Sequence, residues 1–71
     1  MKEVLWTGSA PEHCELCDTR IEHTFYDART RFRVWACLCP ACFEDCGVGL
    51  GTGNGQRFEK RADGTFAKTA G

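Results

Sequence analysis

Six cysteines stand in this chain, and four of them form two close pairs, Cys14-Glu15-Leu16-Cys17 and Cys39-Pro40-Ala41-Cys42. Two thiolates with two residues between them reach neighbouring corners of a tetrahedron around one metal ion, and nearby backbone N–H groups can bond the sulfurs. Residues 18 to 38, twenty-one in all, separate the pairs. That is close to the usual spacing of a four-cysteine zinc site, so zinc is the expected cofactor and Cys14, Cys17, Cys39 and Cys42 its expected ligands. Two other chemistries use the same sulfurs. A pair of disulfides requires an oxidising compartment, and the first ten residues, with Glu3 and no apolar run, do not read as an export signal. Iron in a rubredoxin-like site uses turn-like pairs at both ends, whereas the second pair here leads into a helix-like stretch.

Cys37 and Cys46 are left over. Cys46 lies four residues after Cys42 on the same helical face, so either thiol could exchange into the metal site or pair with the other. Free cysteines more commonly pack as small apolar residues, and that is the expectation here. His13 and His23 are candidate ligands or supporting donors, although four sulfurs already complete a tetrahedral shell.

A second constellation is basic. Arg29, Arg31 and Arg33 recur at every second position, and Trp35 continues the series. On a strand, period two places them on one face, where guanidinium groups meet phosphates and an indole stacks a base. The alternatives are ion pairs to Glu22 and Asp27 across a hairpin, or compensation of an anionic metal centre. Glycine occupies positions 47, 49, 51, 53 and 55. The spacing satisfies neither a phosphate-binding loop nor a dinucleotide loop. An extended segment with glycine along one side can lie flat against a bulky neighbour, for which Trp35 or Trp6 is the expected partner; a partner protein's backbone or a flexible linker are the other readings.

The elements that position these groups follow from local patterning. Residues 1 to 11 read as a weakly ordered lead-in anchored by Trp6. Residues 21 to 26 are β-branched and aromatic and predict a strand, 27 to 30 a turn, and 31 to 38, alternating cleanly, a second strand. Cys39–Cys46 predicts a short helix with Pro40 at its start and Gly47 as its stop. Residues 56 to 69 predict a second hairpin turning at Arg61-Ala62-Asp63-Gly64, with Phe58 and Phe66 on one face. The expected fold is one small zinc-stabilised α+β domain over 1–71, with two β-hairpins and one short helix in a treble-clef or zinc-ribbon-like layout.

Composition bounds the rest. A chain of 71 residues buries only roughly 60% of its unfolded surface and recruits a metal, disulfides or a partner to hold its fold. Its formal charge of −1 is not that of a non-specific nucleic-acid binder. No apolar run is long enough for a membrane span, and a cytoplasmic setting is expected.

The stretches Cys14-Glu-Leu-Cys17, Phe25-Tyr26-Asp27-Ala28-Arg29-Thr30, Trp35-Ala36-Cys37-Leu38-Cys39-Pro40-Ala41-Cys42 and Gly47 to Gln56 resemble small uncharacterised zinc-ribbon proteins of bacteriophages and prophages. The likeness spans about residues 14 to 71. It implies a zinc fold in a bacterial host cytoplasm and carries no established activity. The functional expectation is a non-catalytic module that contacts nucleic acid or a nucleic-acid-processing complex through Arg29, Arg31, Arg33 and Trp35. A protein–protein adaptor or inhibitor of a host protein, using the glycine segment and second hairpin, is the alternative. A treble-clef nuclease needs a His-Asn-His constellation that does not accompany His23, and a thiol oxidoreductase would rest on Cys37 and Cys46 alone.

Overall fold

The computed structural model describes residues 3–71. Four strands, β1 (Thr24–Arg29), β2 (Trp35–Leu38), β3 (Gly55–Lys60) and β4 (Phe66–Ala70), form one antiparallel sheet in the order β2-β1-β3-β4. One helix, α1 (Pro40–Cys46), follows β2. The expected α+β class, the two hairpins and the short helix are all present.

Both faces of the sheet are covered, which explains why β1 buries residues of both parities, Phe25 and Ala28. On one face Ala28, Ala36 and Leu38 pack with Cys14 and Cys39, and Tyr26, Cys42 and Phe43 close the cluster. The Phe43 ring of α1 lies flat on Tyr26 with centroids 4.0 Å apart, which fixes the helix to the sheet. On the other face Ile21, Phe25, Phe58 and Phe66 form an aromatic core with Trp6, Ala10 and Cys37 against it. Trp6 stands edge-on to both Phe25 and Phe58 at 5.2 Å. Phe58 and Phe66 share a core as the hairpin register predicts.

The lead-in is more ordered than expected. Trp6 N–H donates to Phe66 O at 2.9 Å, Lys68 N–H donates to Val4 O at 2.7 Å, and Leu5 pairs with Ala67. Residues 4 to 6 thus satisfy the outer edge of β4, which would otherwise present unpaired backbone groups. Of the expected lead-in, residues 1 and 2 lie outside the described residues.

The first hairpin turns later than its sequence pattern predicts. Asp27 and Ala28 belong to β1, and residues 30 to 34 make the turn, so 31 to 34 are not strand. Ala28 is fully buried and cannot sit in an exposed turn. The Thr30 side chain closes the loop instead: its hydroxyl donates to Val34 O at 2.9 Å and accepts from Phe32 N–H at 3.3 Å. Phe32 and Val34, whose alternation with arginine suggested a half-buried strand, are exposed.

The glycine segment is ordered, but around the end of β1 rather than against a tryptophan. Val48 N–H donates to Arg29 O at 3.1 Å, and Arg29 N–H donates to Asn54 O at 2.8 Å. Gly55 faces Ala28 across the sheet, where a Cβ would lie 2.6 Å from the alanine methyl. Gly47 does end α1, with its N–H donating to Phe43 O at 2.8 Å, but its φ of −71° needs no glycine. Glycine is required there for space, because a Cβ would meet the Phe43 ring at 2.5 Å.

Candidate metal centre

The first cysteine pair sits in a tight turn braced at its base. Cys14 N–H donates to Thr19 O at 2.8 Å and Ile21 N–H to Glu12 O at 2.8 Å, while Asp18 N–H returns to Cys14 O at 2.9 Å. This return requires Asp18 to take φ +63°, a conformation that aspartate tolerates better than most side chains. Leu16 N–H points at Cys14 Sγ, 3.4 Å away. Glu15 docks the turn onto β2: its N–H donates to Cys37 O at 3.0 Å, and its carboxylate accepts from Cys37 N–H at 2.6 Å.

The second pair uses the start of α1. Cys39 is the N-cap, and its sulfur accepts from Cys42 N–H at 3.4 Å, taking the place of the usual hydroxyl or carboxylate cap. Pro40 follows as predicted, at a position where no N–H is needed.

These two pieces bring the sulfurs of Cys14, Cys17, Cys39 and Cys42 within 4.8 Å of one another. The separation of Cys17 and Cys39 sulfurs is 3.6 Å. Four thiolates at ~2.3 Å from one ion are separated by about 3.8 Å, so the cluster has the dimensions of a tetrahedral sulfur site. All six cysteines are free thiols, which removes the disulfide alternative for this structure. The four expected ligands are the four that converge.

Their electrostatics are those of crowded donors. The Cys17 thiol donates to the Thr19 hydroxyl at 3.1 Å, and the hydrogen bonding of Cys17 with that side chain, the Thr19 backbone and Cys42 brings the thiol down to about 6. Burial opposes ionisation of Cys14, but the backbone N–H groups of Cys17, Cys39 and Leu16 outweigh it and hold the thiol below its ordinary value. Cys39 and Cys42 are pushed up, first by burial and then by neighbouring sulfurs. Four anions cannot share this volume without a cation, and a divalent ion would resolve the conflict. Cys14 and Cys39 are buried, whereas Cys17 is exposed beside an apolar cavity of about 450 Å³ that Ile21, His23 and Pro40 also line.

The remaining candidates lie elsewhere. Cys46 is buried, with its thiol donating to Cys42 O at 3.1 Å, and Cys37 packs against the opposite aromatic core. His13 and His23 are both exposed and outside the sulfur cluster. Glu15, Thr19 and Asp18 support the site without having been singled out from sequence. Asp18 carried a usable signal, since a residue closing a Cys-x2-Cys turn needs a left-handed backbone.

The arginines do not share one strand face. Arg29 ends β1, Trp35 opens β2 directly opposite it, and Arg31 and Arg33 sit on the turn between. They nevertheless come together, lining with Thr30 and Val48 a cavity of about 370 Å³ at the hairpin tip. The alternative ion pairs to Glu22 and Asp27 do not form. Among the described residues, ion pairs join Arg57 to Glu59 and Arg61 to Glu3, and none involves Arg29, Arg31 or Arg33. Asp27 instead accepts from Trp35 Nε1–H at 2.5 Å, holding an indole that is 47% exposed. Among the described residues no helix is long and apolar enough to cross a membrane.

No family model matches the chain, and no curated protein or solved structure matches it significantly.

Proposed function

We propose that the ion is zinc, that it supports a treble-clef-like frame of turn, hairpin and helix, and that this frame presents the β1–β2 hairpin tip to nucleic acid in a bacterial cytoplasm. The zinc assignment rests on four thiolate donors, soft ligands in the number and spacing of structural zinc sites. Bound there, the ion supplies a cross-link between the first turn and α1. The chain's own residues do the rest: Glu15 ties the first turn to β2, Phe43 ties α1 to β1, and the Cys46 carbonyl at the end of α1 accepts from Arg31 N–H at 2.8 Å.

The observation that carries the binding function is the uncompensated tip. Among the described residues Arg29, Arg31 and Arg33 form no ion pair, line one cavity, and include a guanidinium stacked over Phe32, while Trp35, opposite Arg29, is an exposed indole fixed at its nitrogen, in a chain of net charge −1. Unpaired cations beside a rigid aromatic suit phosphate and base together. Single strands fit better than duplex, because α1 carries Glu44 and Asp45 and no basic side chain for a major groove. The test is a titration of the zinc-loaded protein with labelled single-stranded oligonucleotides. Binding should weaken as salt rises, and Arg31→Ala with Arg33→Ala should flatten the salt slope by about one unit per lost phosphate contact. Absence of amide shifts over residues 29 to 35 at low salt would remove this reading.

The adaptor reading draws on a different feature of the same tip. Phe32 and Val34 on the turn and Val48 on the cavity are exposed, as is Leu50 in the glycine segment, and exposed apolar side chains of this kind suit a protein partner. A partner captured equally well with and without nuclease treatment would favour it.

A further inference from the structure

Arginines spaced along a strand face would each meet a successive phosphate of a bound chain. The turn at residues 30 to 34 changes that geometry. Arg29, Arg31 and Arg33 line a single cavity, and the Arg31 guanidinium lies over the Phe32 ring, 4.9 Å from its centroid, so the three basic side chains are grouped around one hollow rather than spaced along a strand. A nucleic-acid backbone carries one negative charge per phosphodiester, distributed along its length. A phosphate monoester collects about −1.5 to −2 charges on one group with three acceptor oxygens. The charge at the hairpin tip matches the second distribution.

The backbone of Arg33 adds an independent observation. The two hairpins are closed by the same turn. Arg33 N–H donates to Thr30 O at 3.0 Å and Thr30 N–H to Val34 O at 2.8 Å; Gly64 N–H donates to Arg61 O at 3.0 Å and Arg61 N–H to Thr65 O at 2.7 Å. The second turn places glycine at the left-handed position, with φ +90°. The first places arginine there, with φ +66°. A side chain held in a conformation that disfavours it, where the sister turn has none, indicates a use for that side chain. Four successive backbone donors of the turn are already spent: Thr30 N–H on Val34 O, Arg31 N–H on Cys46 O, Phe32 N–H on the Thr30 hydroxyl, and Arg33 N–H on Thr30 O. At residues 30 to 33 the guanidinium groups are therefore the donors left to grip a ligand, and they favour phosphate oxygens through forked, charge-assisted bonds.

Trp35 selects among carriers of such a group. It is the cross-strand partner of Arg29, which lines the cavity, and its ring is held at its nitrogen by Asp27 and is about half exposed. A nucleobase next to a terminal phosphate can stack there, whereas a phosphorylated serine offers no flat ring.

We propose that the hairpin tip is a receptor for the terminal phosphate monoester of a single nucleic-acid strand, held by Arg29, Arg31 and Arg33 with the end base on Trp35. This rests on the nucleic-acid reading above, and the test separates the two. The zinc-loaded protein is titrated with oligothymidylate strands bearing a 5′-phosphate, a 3′-phosphate or hydroxyls at both ends, and with a phosphoserine peptide, all followed by amide shifts and the Trp35 indole N–H shift. At least one phosphorylated strand should bind about tenfold more tightly than the hydroxyl-ended strand, and phosphatase treatment should abolish the gain. Lowering the pH from 7.5 to 5 should shrink that gain, because the monoester takes up its second proton near pH 6. Arg33→Gly, which relieves the backbone and so keeps the fold, should reduce the phosphorylated strand to the affinity of the hydroxyl-ended one.

Equal binding of all three strands overturns the terminal-phosphate inference and leaves the nucleic-acid function standing. Binding of none overturns both. A phosphoserine peptide that binds as tightly as the phosphorylated strand overturns the assignment of the ligand to nucleic acid.

Discussion

Arg33 and Gly64 occupy equivalent positions of equivalent turns, and the comparison turns a backbone angle into a stability measurement. A left-handed backbone costs a residue with a Cβ on the order of 1 kcal/mol relative to glycine. Arg33→Gly should therefore raise the unfolding free energy of the zinc-loaded protein by up to about 1 kcal/mol, and Gly64→Ala should lower it by a similar amount. Urea titrations of the two variants check this; a destabilised Arg33→Gly would show that the arginine supports the fold rather than a ligand. At this scale the metal centre was the most legible part of the sequence. Ligand chemistry fixes both residue type and short-range spacing, so Cys14, Cys17, Cys39 and Cys42 stand out before any fold is known. Glu15 and Thr19 do not, because their roles depend on the first turn landing beside β2, a contact between residues 15 and 37 that no local pattern encodes.

Among the elements, the second hairpin was read correctly and the first was misplaced, for a definite reason. Arg61-Ala62-Asp63-Gly64 carries its own turn signal, and Asp63 accepts from both the N–H and the hydroxyl of Thr65. The first hairpin carries a misleading one. Alternation from Arg31 to Leu38 mimics a half-buried strand, but at residues 31 to 34 it alternates between side chains that are all exposed. Periodicity reports burial only where something covers one face. The same logic separates the two sides of the sheet experimentally. Phe43→Ala removes the ring that holds α1 on Tyr26, and should cost about 2 kcal/mol and weaken zinc retention against a competing chelator. Trp6→Ala opens the aromatic core on the other face, and should cost about 2–3 kcal/mol while leaving one zinc per chain by native mass spectrometry. Zinc loss in the Trp6 variant with retention in the Phe43 variant would invert this assignment.

Across the whole molecule, the proposed zinc site makes metal and fold one equilibrium. Structural zinc contributes on the order of 10 kcal/mol, comparable to or larger than the total stability of a domain this size. Cys39→Ser or chelation should therefore collapse the amide dispersion of residues 14 to 46. The pH dependence has a fixed sign. Cys39 and Cys42 hold their protons above the ordinary thiol range without the ion, so uptake must release protons. The metal-bound state then binds fewer protons than the free chain, and its stability rises with pH and falls in acid. Zinc addition in weakly buffered solution should acidify it, and the chelator concentration needed to strip the ion should fall as the pH is lowered. The two-sided sheet also sets an order of events during translation. Every ligand, the hairpin between the pairs and the helix that completes the site lie between residues 14 and 46. The opposite core draws on Trp6, Phe25, Phe58 and Phe66, and so joins residues on both sides of the metal segment. A nascent chain acquires its complete set of thiols before β3 and β4 have been synthesised, and its metal side can close while the aromatic side still waits for its last two rings. How long Phe25 and Trp6 remain uncovered is then set by the synthesis of β3 and β4, whether or not the metal side has already closed.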